Sequence, residues 1–247
     1  MNILRTEKLC RSFGSLRAVN DISIEVPEHQ VRAIIGSNGA GKTTLLDMIT
    51  NRTAPTSGHV YYLEQDITKM PTYKIVQKGI GKCFQISKLF NRLSVYENIQ
   101  IACICRNRKY LSFFQKSEHF LEKDVEQIME MVRLKDKARE IAGFLSYGDQ
   151  RKLEIGVTLA LEPKLLMLDE PTAGISRTEG YDLMALVTSI VKQQGITVIF
   201  IEHDMDIVFD FAEHITVMHR GEYLASGTPE EVRNNPLVIQ TYLGDMS

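Results

Sequence analysis

Between residues 36 and 44 the chain reads Gly36-Ser37-Asn38-Gly39-Ala40-Gly41-Lys42-Thr43-Thr44, the pattern G-x-x-x-x-G-K-[ST]. Glycines at 36, 39 and 41 let the backbone turn where a Cβ would obstruct it, so that successive N–H groups converge on one point. That geometry holds phosphate. Lys42 can reach β- and γ-phosphates as a point charge, and the Thr43 hydroxyl is placed to ligate Mg²⁺. A second chemical group closes the apolar run Leu165-Leu166-Met167-Leu168 with Asp169-Glu170. Two carboxylates at the end of a strand buried on both faces are costly unless used. Asp169 suits the shell of a Mg²⁺ ion, and Glu170 suits proton removal from an attacking water. A third group, Glu202-His203-Asp204, follows another apolar run, Ile196 to Ile201.

These groups need a scaffold that brings strand ends together. Val31 to Ile35 before the glycine loop is a short β-prone run, and Leu45 to Ile49 after it continues at helical spacing, so the loop joins strand to helix, whose free N–H groups and positive dipole end favour anions. In an open, parallel α/β sheet, ligands bind at the carboxyl ends of strands, which puts His203 on one edge with Asp169 and Glu170. Residues 3 to 35 read as β-rich, and Gly58 to Tyr62 and Gly79 to Gln85 as further strands. From Ser94 to about Ala142 the pattern is helical, opened by the capping box Ser94-Val95-Tyr96-Glu97. Further helices are expected over Lys152 to Leu161 and Arg177 to Gln193, and Thr228-Pro229-Glu230-Glu231 opens a short one near the C-terminus.

Several residues carry two readings at this level. Phe13 is either a core aromatic or a platform for a flat ring. Gln85, at a strand end, either ligates Mg²⁺ through its amide oxygen or is simply solvated. The loop Leu145-Ser146-Tyr147-Gly148-Asp149 precedes a helix and is a second potential anion site, as any capped helix start can be.

The chain has 247 residues, 44% of them hydrophobic, enough for one large domain or two lobes. Its net charge is −2, from 29 basic and 31 acidic residues, which gives no general electrostatic case for nucleic acid. The basic and aromatic stretch over 106–124 is therefore expected to be a helical surface or docking patch. No apolar segment has signal-peptide or membrane-spanning length, so a cytosolic protein anchored by something else is expected. Cys10, Cys83, Cys103 and Cys105 lack metal-site spacing and are expected to be reduced, mostly buried thiols, with a metal at Cys103 and Cys105 the alternative.

Taken in order, these motifs resemble the ATP-binding subunit of an ABC transporter along essentially the whole chain. Gly36 to Thr44 is similar to the Walker A loop, Gln85 to the Q-loop glutamine, Leu145 to Asp149 to the signature loop, Leu165 to Asp169 to the Walker B strand, Glu170 to the catalytic glutamate, and His203 to the switch histidine. Phe13 falls where the family stacks an aromatic on adenine. Lys82-Cys83-Phe84-Gln85, Leu153 to Gly156, Glu202 to Met205, Gly227 to Val232 and Tyr242-Leu243-Gly244 resemble the branch that takes up branched-chain amino acids, with urea and short amides as siblings. Two departures stand out: Tyr147 and Asp149 replace a glycine and a glutamine of the usual signature, and Ser176 replaces an aspartate.

The resemblance implies an α/β P-loop NTPase core of RecA type with a mostly parallel sheet, an N-terminal antiparallel β subdomain and an inserted helical subdomain. One ABC ATPase domain would span 1–247: a core lobe over 1–87 and 161–227, a helical lobe over 88–160, and a helical tail over 228–247. It implies ATP and Mg²⁺ as ligands, with Phe13, residues 36 to 44 and Gln85 from one subunit and Ser146 and Gly148 from a second enclosing nucleotide. Thr43, Gln85 and Asp169 would organise Mg²⁺; Glu170, His203 and Lys42 would serve catalysis. Implied partners are a second ATPase subunit, membrane permease subunits and, indirectly, an extracytoplasmic solute-binding protein, at the inner face of the cell membrane. An ABC-type ATPase acting on nucleic acid or ribosomes, an exporter subunit and a P-loop kinase are the rivals.

Overall fold

Strands that are apolar on both faces need a layer on each side, and the computed structural model, which describes residues 1–83, 89–107 and 121–243, supplies both. The chain opens with β1 (Asn2–Phe13), β2 (Leu16–Ile22) and β3 (Glu25–Pro27), then β4 (Val31–Ile35), which leads through the glycine loop into α1 (Lys42–Ile49). Next come β5 (Ser57–Tyr62), β6 (Gln65–Asp66), α2 (Thr72–Gln77) and β7 (Ile80–Cys83). Three helices follow, α3 (Val95–Asn107), α4 (Glu122–Met131) and α5 (Tyr147–Leu159). The chain continues with β8 (Leu165–Asp169), α6 (Arg177–Gln194), β9 (Thr197–Ile201) and α7 (Met205–Phe211). It then forms the hairpin of β10 (His214–His219) and β11 (Glu222–Gly227), followed by α8 (Pro229–Arg233).

The central sheet has the order β11-β10-β4-β9-β8-β7, parallel from β10 to β7 with β11 antiparallel at its edge. A second, antiparallel sheet has the order β2-β1-β5-β6, with β3 also on β1. Side-chain alternation divides the interior between the two faces of the central sheet. Val31, Ala33, Ile35, Leu166, Leu168, Val198 and Phe200 join one cluster with Ile99, Val125, Leu153 and Val187 from the helices. Ile34, Leu165, Met167, Ile199 and Ile201 join the other, against Leu45 and Leu46 of α1, Ile75 of α2 and Leu4 and Val60 of the antiparallel sheet.

Local signals set the ends of the elements. Ser94 and Glu97 exchange hydrogen bonds at the start of α3, the Ser94 amide donating to the Glu97 carboxylate (2.7 Å) and the Glu97 amide to the Ser94 hydroxyl (3.2 Å). Thr228 and Glu231 form the same box before α8, with Pro229 in its first turn. Registers Ile34↔Ile201 and Asp169↔Ile201 bring the carboxyl ends of β4, β9 and β8 side by side.

The thiols are less uniformly enclosed than expected. Cys103 is buried, Cys10 and Cys83 are half-buried, and Cys105 is exposed. Positions two apart on a helix project to opposite sides, so Cys103 and Cys105 of α3 do not converge on a metal. No cluster of three or more His, Cys, Asp or Glu suited to a metal occurs among the described residues. Most of the basic stretch, residues 108–120, and Gly244 lie outside the described residues. No helix among the described residues is long and apolar enough to cross a membrane.

Candidate functional site

The glycine loop is shaped by contacts that exclude side chains. Gly36, Gly39 and Gly41 have φ of +154°, +81° and +93°. A Cβ on Gly36 would lie 2.1 Å from the Met218 carbonyl oxygen, and one on Gly41 2.2 Å from that of Ala18. Ser37, Asn38 and Gly39 form the exposed tip, and the Ala40 amide closes it by donating to the Ser37 carbonyl (3.1 Å). Gly41 provides no side-chain cap to α1, so the first N–H groups of the helix, including those of Thr43 and Thr44, have no acceptor within it. Beneath them the Lys42 ammonium donates to the carbonyls of Gly36 (2.7 Å) and Ser37 (3.1 Å). Burial lowers the Lys42 pKa, and the Glu170 and Asp169 carboxylates oppose that shift.

Asp169, at the end of β8, is 4% exposed, and its Oδ1 accepts the Thr43 hydroxyl at 3.2 Å. Burial raises its pKa, against the pull of the Lys82 ammonium and the Thr43 hydroxyl. A hydroxyl and a carboxylate this close are hard oxygen donors, and they fit Mg²⁺, which takes one or two protein oxygens and completes its shell with phosphate and water. Among the described residues no group of three or more His, Cys, Asp or Glu surrounds this pair as an all-protein cage.

Glu170 follows with φ of +52°, a left-handed conformation that costs a non-glycine residue about 1–2 kcal/mol. Its amide donates to the Ile201 carbonyl (3.0 Å), and its Oε1 meets His203 Nε2 at 2.8 Å. A carboxylate can only accept, which places the imidazole proton on Nε2. The expected grouping of phosphate loop, Asp169, Glu170 and His203 is therefore present at three neighbouring strand ends. Strained backbone at such a position marks a functional constraint more often than a packing one.

The remaining candidates are distributed differently. Phe13 is 47% exposed at the end of β1, with the Arg11 guanidinium 4.5 Å from its ring centroid, so it is an accessible aromatic face and not a core residue. Gln85 lies outside the described residues. Ser146 caps α5 by accepting from the Asp149 amide (3.2 Å), and a Cβ on Gly148 would face Glu179 of α6 at 3.4 Å. Asp149 behaves as expected of a carboxylate at a helix start. Although burial pushes its pKa up, hydrogen bonds from Lys137 (2.5 Å), Lys152 (3.1 Å) and Ser146 (3.0 Å) bring it below the usual range. Tyr147 is 67% exposed beside this cap. Ser176 caps α6 in a box with Glu179, which gives the departure at that position a local structural role.

Two residues named only as parts of motifs, with no role of their own assigned from the sequence, also meet the site. Glu202 is 4% exposed and accepts from the Thr172 amide (2.8 Å), the Thr172 hydroxyl (2.7 Å) and the His203 amide (3.2 Å). It ties the turn after β8 to the residue after β9. Lys82 of β7, its side chain 4% exposed, donates to Asp47 Oδ1 (2.8 Å) and lies 3.6 Å from Asp169 Oδ2. The available signal was a charged residue within the short strand β7 for Lys82, and one directly after the apolar strand β9 for Glu202.

Comparison with known proteins follows the same lines. A family model for ABC transporters matches residues 19–173, and one for branched-chain amino acid ATP-binding cassette transporters matches residues 224–246. The high-affinity branched-chain amino acid transport ATP-binding protein BraF of Pseudomonas aeruginosa is 39% identical over 250 residues, 98% of each chain. The corresponding LivG protein of Salmonella typhimurium is 37% identical over the same share of both chains. Among solved structures, a nucleotide-free ATP-binding cassette from an ABC transporter superposes with a TM-score of 0.85 at 35% identity, covering 98% of this chain and 99% of that one. An ABC transporter cassette in its ADP conformation gives 0.86 at 35% identity, covering 99% of each chain.

Proposed function

This chain belongs to the ABC transporter family of ATP-binding subunits, and from that premise we propose that its ATPase activity drives uptake of branched-chain amino acids through membrane permease subunits. The arrangement that carries the reading is the meeting of the glycine loop, Asp169 and the Glu170–His203 pair at the ends of β4, β8 and β9. The family is one of ATPases coupled to transport, and the named relatives are transport proteins for branched-chain amino acids. That favours this reading over a nucleic-acid-directed ATPase.

In the proposed site the loop amides and the Lys42 ammonium, now spent on two loop carbonyls, take the β- and γ-phosphates. Thr43, Asp169 and Gln85 would hold Mg²⁺, which supplies positive charge to the phosphate oxygens. Glu170 accepts the proton of the attacking water, and His203 holds that carboxylate in place and reads the γ-phosphate. Phe13 stacks on the adenine. Ser146 and Gly148 of a second subunit, identical or homologous, close the site, so that two helical lobes over 88–160 approach each other when nucleotide binds. Permeases, an extracytoplasmic binding protein and the inner membrane face complete the proposal.

Losing a general base costs about 10²- to 10⁴-fold in rate. Glu170→Gln is therefore expected to retain ATP binding while phosphate release falls by at least the lower of those factors. Unchanged turnover would remove Glu170 from the role, and uptake assays on the reconstituted transporter with leucine, isoleucine, valine and urea test the solute.

A further inference from the structure

Lys82 projects from β7 into the space between α1 and β8. Its ammonium makes a hydrogen-bonded ion pair with Asp47 at 2.8 Å and stands 3.6 Å from the outer oxygen of Asp169, with its side chain 4% exposed. Asp47 is 23% exposed and Asp169 4%. Asp169 thus has two kinds of neighbour: the Thr43 hydroxyl on Oδ1 and a fixed cation beside Oδ2. The Lys42 ammonium attracts Asp169 from farther off, while its hydrogen bonds go to the loop carbonyls. A carboxylate this deeply enclosed needs a counter-charge, and without metal Lys82 provides it.

We propose that Lys82 is an internal counter-ion that stands in for Mg²⁺ at Asp169 in the nucleotide-free protein, and that Asp47 sets how strongly it competes by holding the ammonium to one side. The proposal rests on the reading of Asp169 as a Mg²⁺ ligand. Two like charges cannot both be fully stabilised by one carboxylate at this range. Entry of the metal therefore requires Lys82 to lean on Asp47, 0.8 Å nearer already by the difference between 3.6 and 2.8 Å. The pair then works as a balance: a cation that supports the empty site weakens the metal-loaded one, and its partner tempers that opposition. Lys82 acts through Asp169 and touches no reacting atom, so it is a positioning residue.

The two arms give opposite signs. Removing the cation with Lys82→Met is expected to tighten Mg²⁺, lowering the half-saturating concentration about tenfold, the scale on which one unit charge at 4–6 Å shifts an equilibrium. Releasing it with Asp47→Asn is expected to raise that concentration about threefold or more, because the ammonium settles on Asp169 and a nearby negative charge is lost. The probe is a fluorescent, non-hydrolysable ATP analogue titrated with Mg²⁺, which needs no turnover. Urea unfolding in EDTA provides a second readout, in which Lys82→Met is expected to be less stable than the parent and to recover more stability from Mg²⁺ with nucleotide. Unchanged or weaker Mg²⁺ dependence in Lys82→Met overturns the proposal, and should that variant fail to fold, unchanged or tighter dependence in Asp47→Asn overturns it. Asp169→Asn separates the two readings. If it leaves Mg²⁺ dependence intact, the metal assignment itself fails; if it abolishes the dependence while the other two variants do not shift it, only the counter-ion role fails.

Discussion

Replacing Thr172 by Val would remove one hydroxyl from the buried carboxylate that joins two catalytic turns, while leaving the shape of the side chain almost unchanged. Glu202 accepts three hydrogen bonds, of which the Thr172 hydroxyl at 2.7 Å is the shortest and the two amides at 2.8 and 3.2 Å would remain. Hydrogen bonds to charged groups contribute about 1.5–3 kcal/mol, and neutral ones about 0.5–1.5 kcal/mol. The expected loss in urea unfolding at pH 8 is therefore about 2 kcal/mol. The pH dependence follows from the direction of the Glu202 shift. Burial raises its pKa, against the hydrogen bonds from Thr172 and the His203 amide. A carboxyl whose folded pKa exceeds its unfolded one binds more protons when folded, so it costs stability as pH rises from the unfolded value through the folded one, and that cost is fully present above both. Deleting a donor that favours the ionised form raises the folded pKa further and enlarges the cost. The difference between Thr172→Val and the parent should accordingly be largest at pH 8 and shrink towards the neutral hydrogen-bond value as Glu202 becomes protonated in both states. A difference of less than about 0.5 kcal/mol at pH 8, or one that does not change on acidification, would refute the assignment of Glu202 as an ionised carboxylate held by this hydroxyl.

Other perturbations probe separate parts of the site. Gly41→Ala combines a φ of +93° with a Cβ 2.2 Å from the Ala18 carbonyl oxygen; left-handed strain of about 1–2 kcal/mol and overpacking of about 1–3 kcal/mol predict a loss of about 2–5 kcal/mol in denaturation. Nucleotide affinity measured on the surviving folded fraction should fall as well. Ser176→Ala removes the cap of α6, with an expected cost of about 1 kcal/mol in the same assay; no loss would deny the serine its structural role. With a thiol reagent at pH 8, Cys105 is expected to react first. Cys83 and Cys103, whose pKa values burial pushes up to about 12 and about 11, should follow only on unfolding. A fast phase that survives replacement of both Cys105 and the half-buried Cys10 by serine would contradict this order.

Much of this architecture is legible along the chain because its signals are local. Three glycines and a lysine within nine positions announce the phosphate loop, apolar runs ending in Asp169-Glu170 and in Glu202-His203 announce two buried strands, and the boxes Ser94–Glu97 and Thr228–Glu231 mark helix starts within one turn. What escaped depends on distance. The partners of Lys82 lie 35 residues before it at Asp47 and across the sheet at Asp169, so no spacing rule reaches them. Thr172 and Glu202 are 30 residues apart and meet because β8 and β9 are neighbours, an order that emerges only when the sheet is assembled. The helices α2 and α7 have six and seven residues, too short for a 3.6-residue period to declare itself. Phe13 was ambiguous because an aromatic looks alike in a core or on a surface until its neighbours are known.

The clasp around the glycine loop has a kinetic meaning. Backbone from two remote segments presses on it: the β10–β11 hairpin, with Met218 against Gly36 and the Gly221 amide donating to the Ala40 carbonyl at 3.2 Å, and β2, with Ala18 against Gly41. A receptacle whose contour is settled during folding imposes no separate ordering penalty on its guest. Capture then proceeds at the pace of encounter, and observed association rates climb in direct proportion to nucleotide concentration instead of levelling off at the speed of an internal rearrangement.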